Sequence, residues 1–356
     1  MKRLYSTILN CKKISPLIAA GATAVVITAL LLVTSNYAKG SEPMSLLQNK
    51  PFYSVKVSAA GARYSIRVNG VSVIREMNPR GQITTTLPVN HWMRSGENSL
   101  EILAFPDEQG EPFRRDFYVN IALLVRDHSD RDKEYTVATL VFDGRKDEDG
   151  SHTSQSSPSG IYASNKDFEP HPSGDVEVFD VTTTPRDDYD GALDVERIIN
   201  IPSSLPLWAF FNGDEIPDYN AIEDDDEYEK AFESLYREYE KIQHAIANKE
   251  IESILPMFDE RNRETDLAFY LEPGTTAAGI REDLMESAHS PDRELVGLKI
   301  GYVGPFVEGN SRIVSLRRNN LTPTITLNYV NEKEGMGSER YPIYFRLQDG
   351  EWILTR

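Results

Sequence analysis

The chain is predicted to be an α+β protein: an N-terminal membrane helix, then an antiparallel β-sandwich, then a region that opens with helices and closes with a sheet. Three observations predict it. An uncharged apolar run lies near the N-terminus, apolar residues alternate with period two through residues 51–143, and from residue 225 a helical pattern gives way to further alternation.

Lys2, Arg3, Lys12 and Lys13 form a basic head without an acid, and Leu17 to Val33 is an uncharged run of 17 residues. Such a run is at the lower limit for crossing about 30 Å of hydrocarbon. The basic head should stay in the cytoplasm, so residues 1–40 read as a cytoplasmic head and signal anchor with the C-terminal part in the periplasm. A cleavable signal has an apolar core of roughly 7 to 15 residues. The longer run here predicts a single-pass anchor; in the alternative, cleavage falls near Ala38 and frees the protein into the periplasm. Cys11 is the one cysteine, so no disulfide forms within the chain and the exported part must hold together by core packing. Together these features suggest a bacterial envelope protein.

The formal net charge is -18; the basic head carries +4, which leaves -22 on the remainder. No basic stripe follows residue 40. Nucleic acid is therefore excluded as a partner, because binding it requires clustered Lys and Arg to release counterions. From Asp143 to Lys230 there are 23 acids against 6 bases. That acidic middle, residues 144–224, reads as a solvated linker or excursion, and it could also meet a basic partner protein.

Within residues 51–143, Tyr53, Val55 and Val57 alternate, as do Tyr64, Ile66 and Val68, followed by Val71 and Val73. Asn69-Gly70 between the last two sets is a hairpin signal, since both residues accept positive φ. Further strands are expected at Gln82 to Leu87, Ser99 to Phe105, Asp116 to Val125 and Tyr135 to Phe142. The segment Asp147 to Pro172 is rich in Ser, Pro, Asp and Gly and reads as connector. Val176 to Thr182 is a candidate edge strand, and Leu205 to Phe211 is apolar, too short to span a membrane, and expected to pack on the next domain.

The second domain, residues 225–356, opens with Tyr228, Phe232, Leu235, Tyr239, Ile242 and Ile246, whose spacing lines them on one helical face. The acids before them sit where the helix dipole favours negative charge. Helical turns are expected at Ile251 to Phe258 and Thr276 to Ala288, then strands at Glu294 to Val303, Arg312 to Leu316, Thr322 to Val330, Arg340 to Leu347 and Trp352 to Thr355, with Asp349-Gly350 as the last hairpin turn.

Two resemblances follow from these residues. Trp92-Met93-Arg94-Ser95-Gly96-Glu97-Asn98-Ser99-Leu100-Glu101-Ile102 resembles the W-x-x-x-G-E-N-x-L-x-I stretch of galactose-binding-like and related jelly-roll or Ig-like sandwiches, where the Gly-Glu-Asn turn leads into a core strand. Asp225 to Arg356 resembles the NTF2-like (cystatin-like, cone-shaped) superfamily, through the opening helix running into Ala245 to Leu255 and the closing Tyr344 to Leu354 hairpin. The second resemblance implies an α+β cone. Enzymes of that superfamily use an Asp/His or Asp/Tyr pair inside an apolar cone, where burial raises the carboxyl pKa. The candidates here are Asp266, Tyr270, Asp283 and His289, with Asp266 and His289 as the pair to test.

Other chemistry has less support. Asp187, Asp188 and Asp190 before Gly191 resemble the start of a calcium loop, but the alignment puts Arg186 first and Arg197 last, where Asp and Glu are required. His152 and His171 stand in the connector with no cysteine near. No Gly-x-Ser-x-Gly elbow or phosphate-cradling glycine loop occurs, and no cofactor is expected. Asp214-Glu215 and Glu223 to Glu227 are adjacent acids, the pattern of a solvated face. The expectation is a non-enzymatic, membrane-anchored binding protein of the envelope, with Asp224, Asp225, Asp226 and Trp92 as binding residues. Its ligand is a protein, which includes a toxin to be neutralised, or a saccharide; the alternative is an isomerase or lyase acting in the cone.

Overall fold

In strand β1 (Pro51–Ala60), Tyr53, Val55, Val57 and Ala59 point to one side and are all buried. That alternation fixes which side of the strand becomes core. The computed structural model describes residues 50–61, 63–77, 81–129, 134–145, 176–222, 224–331 and 335–356. The predicted anchor, Leu17 to Val33, lies outside the described residues, as does the connector Asp147 to Pro172 with His152 and His171. No helix among the described residues is long and apolar enough to cross a membrane.

Two antiparallel sheets face each other across the first core. One has the order β4-β1-β6-β7, with β4 Gln82–Pro88, β6 Tyr118–Asp127 and β7 Glu134–Asp143. The other has the order β3-β2-β5-β9-β8, with β2 Arg63–Val68, β3 Val71–Glu76, β5 Gly96–Phe105, β8 Glu177–Pro185 and β9 Leu193–Ile201. Asn69 and Gly70 take φ of 52° and 74° in the predicted β2–β3 hairpin. Residues 177–201, expected as acidic connector apart from a strand at its start, instead complete this sheet. The reason is the inward row Val195, Arg197, Ile199 and Ile201 of β9, all buried against the first core.

The remaining chain is helical and then β. Helix α1 (Asp225–Asn248) buries Phe232, Leu235, Tyr239, Ile242 and Ile246 along its predicted stripe. Asp224 caps it by accepting from the Glu227 N–H at 2.9 Å. Helices α2 (Asp259–Ala268) and α3 (Thr275–His289) follow. One sheet then has the order β10-β13-β14, with β10 Arg293–Leu295, β13 Ile325–Asn331 and β14 Gly335–Tyr341. Another has the order β11-β12-β15-β16, with β11 Val303–Glu308, β12 Ile313–Arg318, β15 Phe345–Gln348 and β16 Glu351–Leu354. The strand expected at Glu294 to Val303 is largely irregular: the Leu298 N–H donates to the Gln243 side chain and Gly301 has φ of 86°. The interior of this half is packed by side chains. Tyr239 stands in it, donating its hydroxyl to the Ile343 carbonyl at 2.6 Å while the same oxygen accepts from the Leu316 N–H.

The segment Leu205 to Phe211, expected to pack on the next domain, instead places Leu205, Trp208 and Phe210 in the first core. Trp208 is fully buried and donates from Nε1 to the Asn90 and Met93 carbonyls at 3.1 and 2.7 Å. An aromatic of this size buries on the order of 200 Å², worth at most roughly 5 kcal/mol. Ala268, Ile313 and Tyr344 from the second half belong to the first core. A buried ion pair completes the junction: Arg356 donates to Glu264 at 2.6 Å and to the His91 carbonyl at 3.0 Å, while Glu264 also accepts from the Ala209 N–H at 2.7 Å.

Candidate functional site

The junction leaves a cleft of about 630 Å³ between strand β3 and the β12–β13 turn with the end of β14. Its geometry starts from two hairpin tips. The Asn69 side chain donates to the Trp92 carbonyl and Asn98, and accepts from the Ser99 N–H, which ties the β2–β3 hairpin to the Gly-Glu-Asn turn. The β11–β12 tip then docks on it, with the Gly309 N–H donating to the Gly70 carbonyl at 3.0 Å. A Cβ on Gly70 would lie 2.6 Å from Asn310 Oδ1, so only glycine permits this approach.

Glu308, at the end of β11, is buried and anchors one rim. It accepts from the Ser72 N–H at 3.0 Å and from Arg317 at 3.3 Å. Arg317 also donates to the Tyr344 hydroxyl at 2.7 Å. Arg317 and Arg75 both lie over the Phe306 ring, at 5.0 and 4.4 Å from its centre. Arg75 has no ion pair or hydrogen bond among the described residues, and its Nε is buried without a partner. Burial brings its pKa down to about 10, the nearby Arg67 and Arg317 lowering it further and Glu308 opposing, so it remains a cation at neutral pH. Arg340 projects from β14 into the same cleft, exposed and without an ion pair among the described residues.

Trp92 and His91 line the other side, on a 3₁₀ turn (Asn90–Trp92). Trp92 is 7 % exposed, with Arg356 5.4 Å from its ring centre and Phe210 and Tyr344 edge-on at 5.7 and 6.1 Å. Among the described residues the His91 Nδ1 has no partner, and burial together with Arg356 and Arg261 holds the imidazole well below its ordinary pKa. The cleft thus offers guanidinium groups, an edge strand and an aromatic floor. These suit recognition of an anion; no nucleophile paired with a base is among them.

The residues singled out from the sequence lie elsewhere, Trp92 excepted. Asp266 is buried at the end of α2, where it accepts from the Gly274 N–H, the Thr276 N–H and the Thr276 hydroxyl at 2.7, 2.8 and 2.5 Å and so caps α3. His289 is exposed at the opposite end of that 15-residue helix, bonded to the Met285 carbonyl. A helix of this length separates the two by about 20 Å, so they do not form a pair. Tyr270 donates to the Pro51 carbonyl at 2.8 Å, and Asp283 is exposed on α3. Asp224 and Asp226 are exposed at the α1 cap; Asp225 is the first residue of that helix. Asp187, Asp188 and Asp190 occupy the β8–β9 loop, where both Asp188 oxygens are taken by Arg186 at 2.7 and 2.6 Å. The described residues contain no group of three or more His, Cys, Asp or Glu able to hold a metal.

Arg75, Arg317, Arg340, Phe306 and Tyr344 were not singled out by sequence reasoning. No signal in the sequence marked them, Arg75 being one of 38 lysines and arginines. No protein-family model, curated protein or solved structure matches this chain.

Proposed function

We propose that this is a non-enzymatic binding protein of the bacterial envelope, anchored through residues 17–33 with its C-terminal part in the periplasm, and that it binds a protein partner through the cleft beside β3. The membrane part of this reading rests on the basic head and the 17-residue apolar run. The observation that carries the binding part is the cleft, in which Arg75 and Arg340 are cations that make no ion pair among the described residues of a chain of net charge -18. The C-terminal half, read as an NTF2-like cone, supports binding over catalysis because Tyr239, Phe345, Leu316 and their neighbours pack its interior. Asp266 is also engaged as a helix cap there.

A photo-crosslinking amino acid in place of Leu321, on the cleft rim, should give a discrete adduct in intact cells. The same group in place of Asp283, exposed on α3, should give none. Absence of any adduct from Leu321 in a well-expressed protein would refute the reading.

A further inference from the structure

The walls of the cleft specify what kind of protein segment enters it, on the reading that the cleft is the working surface. We propose that the ligand is an extended acidic peptide segment that adds as a strand to the free edge of β3 and places its carboxylates on Arg75 and Arg340.

The first support is the edge itself. Among the described residues strand β3 is terminal in its sheet, pairing with β2 alone, and Ser72 to Met77 all line the cleft. In an antiparallel pair, alternate residues of an edge strand direct N–H and C=O away from the partner strand. The Ser72 N–H is satisfied by Glu308. Beyond it, no hydrogen bond among the described residues joins Ile74 or Arg75 to the opposite wall. Six residues at about 3.3 Å each make an edge of about 20 Å, the length of a peptide of five or six residues. A bulge leaves Val73 unpaired, between the Ile66–Ile74 and Arg67–Ser72 pairs. Ser72 pairs with Arg67 and Arg75 with Ser65, two residues along β2, so the backbone of Arg75 faces outward as that of Ser72 does, and the added strand would pair chiefly there.

Charge is the second support. Arg75 is half-buried over Phe306 and makes no ion pair among the described residues, while Glu308, which acts on it electrostatically, already pairs with Arg317. A desolvated guanidinium without a carboxylate is costly, and an incoming carboxylate relieves that cost by a charge-assisted hydrogen bond. Elsewhere the acidic surface repels such a segment, so electrostatics direct it to this cleft. Strand addition supplies affinity through the main chain and selectivity through alternate side chains, which matches one backbone edge with two cations beside it. A saccharide would need a free aromatic face for stacking. Trp92, the aromatic expected to provide one, is packed by Arg356, Phe210 and Tyr344.

The test uses the full-length chain in detergent and a fluorescent hexapeptide of alternating glutamate and valine, followed by anisotropy. Binding should weaken at least about tenfold in Arg340→Glu, further in Arg75→Glu/Arg340→Glu, and about tenfold when glutamine replaces glutamate in the peptide. A hexapeptide N-methylated at alternate residues should also lose about tenfold, because it cannot complete the ladder. Arg340 is exposed, so its single variant keeps the test open if the double variant misfolds. Equal binding of the glutamine or N-methylated peptide, binding of an oligogalacturonate in place of the peptide, or no binding of the peptide would each overturn the proposal. The crosslink from Leu321 would survive such a failure, which separates the ligand class from the binding reading beneath it.

Discussion

Replacing Glu264 by leucine should be among the most damaging single changes in the described chain. Its side chain is 9 % exposed and that of its partner Arg356 4 %, so the change strands a guanidinium where water does not reach. Arg356 would keep the His91 carbonyl and its contacts with the rings of Trp92, Trp208 and Phe210. The Ala209 N–H would lose its acceptor. Breaking a buried pair in this way costs about 3–5 kcal/mol. With a urea dependence of about 3 kcal/mol per molar, the unfolding midpoint should fall by about 1–1.7 M. The double change Glu264→Leu/Arg356→Met removes both charges and should recover most of that loss, since a packed apolar pair of similar volume is often neutral. Unfolding followed by tryptophan fluorescence and by circular dichroism measures both variants. A single-variant cost under about 1 kcal/mol, or a double variant as unstable as the single, would refute the junction as described.

His91 gives a pH dependence with a defined sign. Its folded pKa lies below the ordinary 6.5 of the unfolded chain, so the unfolded state takes up the proton first. Stability is then full above pH 6.5 and declines as pH falls below it, by about 1.4 kcal/mol per pH unit, and His91→Phe should remove that decline in urea titrations between pH 7 and about 5.5. Asp266→Ala should cost about 1–2 kcal/mol in chemical denaturation by uncapping α3, whereas His289→Ala should change stability by less than about 0.5 kcal/mol. Gly70→Ala should cost about 1–3 kcal/mol, because φ is positive there and the new Cβ meets Asn310; a melting temperature equal to the parent's would contradict the tip-to-tip packing.

Much of the framework was legible in the sequence because its determinants are local. Asn69-Gly70 and Asp349-Gly350 adopt the positive φ their hairpins require, and the stripe from Phe232 to Ile246 is buried as its spacing indicates. Strand β9 was missed because Asp194, Glu196 and Arg197 sit in a stretch whose average composition is acidic, which hid the alternation of Val195, Ile199 and Ile201. Helix α2 was missed for a related reason. Its buried residues include Asn262, Glu264 and Asp266, polar groups that burial alone would penalise and that their partners satisfy. The cleft was not legible at all. It depends on Gly70 meeting Gly309 and on Arg75 meeting Phe306, contacts between residues more than two hundred positions apart that no spacing rule connects.

On the proposed reading a partner is held beside β3 by Arg75 and Arg340. The most direct measurement is the adduct yield from a photo-crosslinker at Leu321 in intact cells, compared between the parent chain and Arg75→Glu/Arg340→Glu at matched abundance and matched melting temperature. An adduct should form in the parent chain and fall at least about tenfold in the variant. An adduct of equal yield in both would contradict that reading.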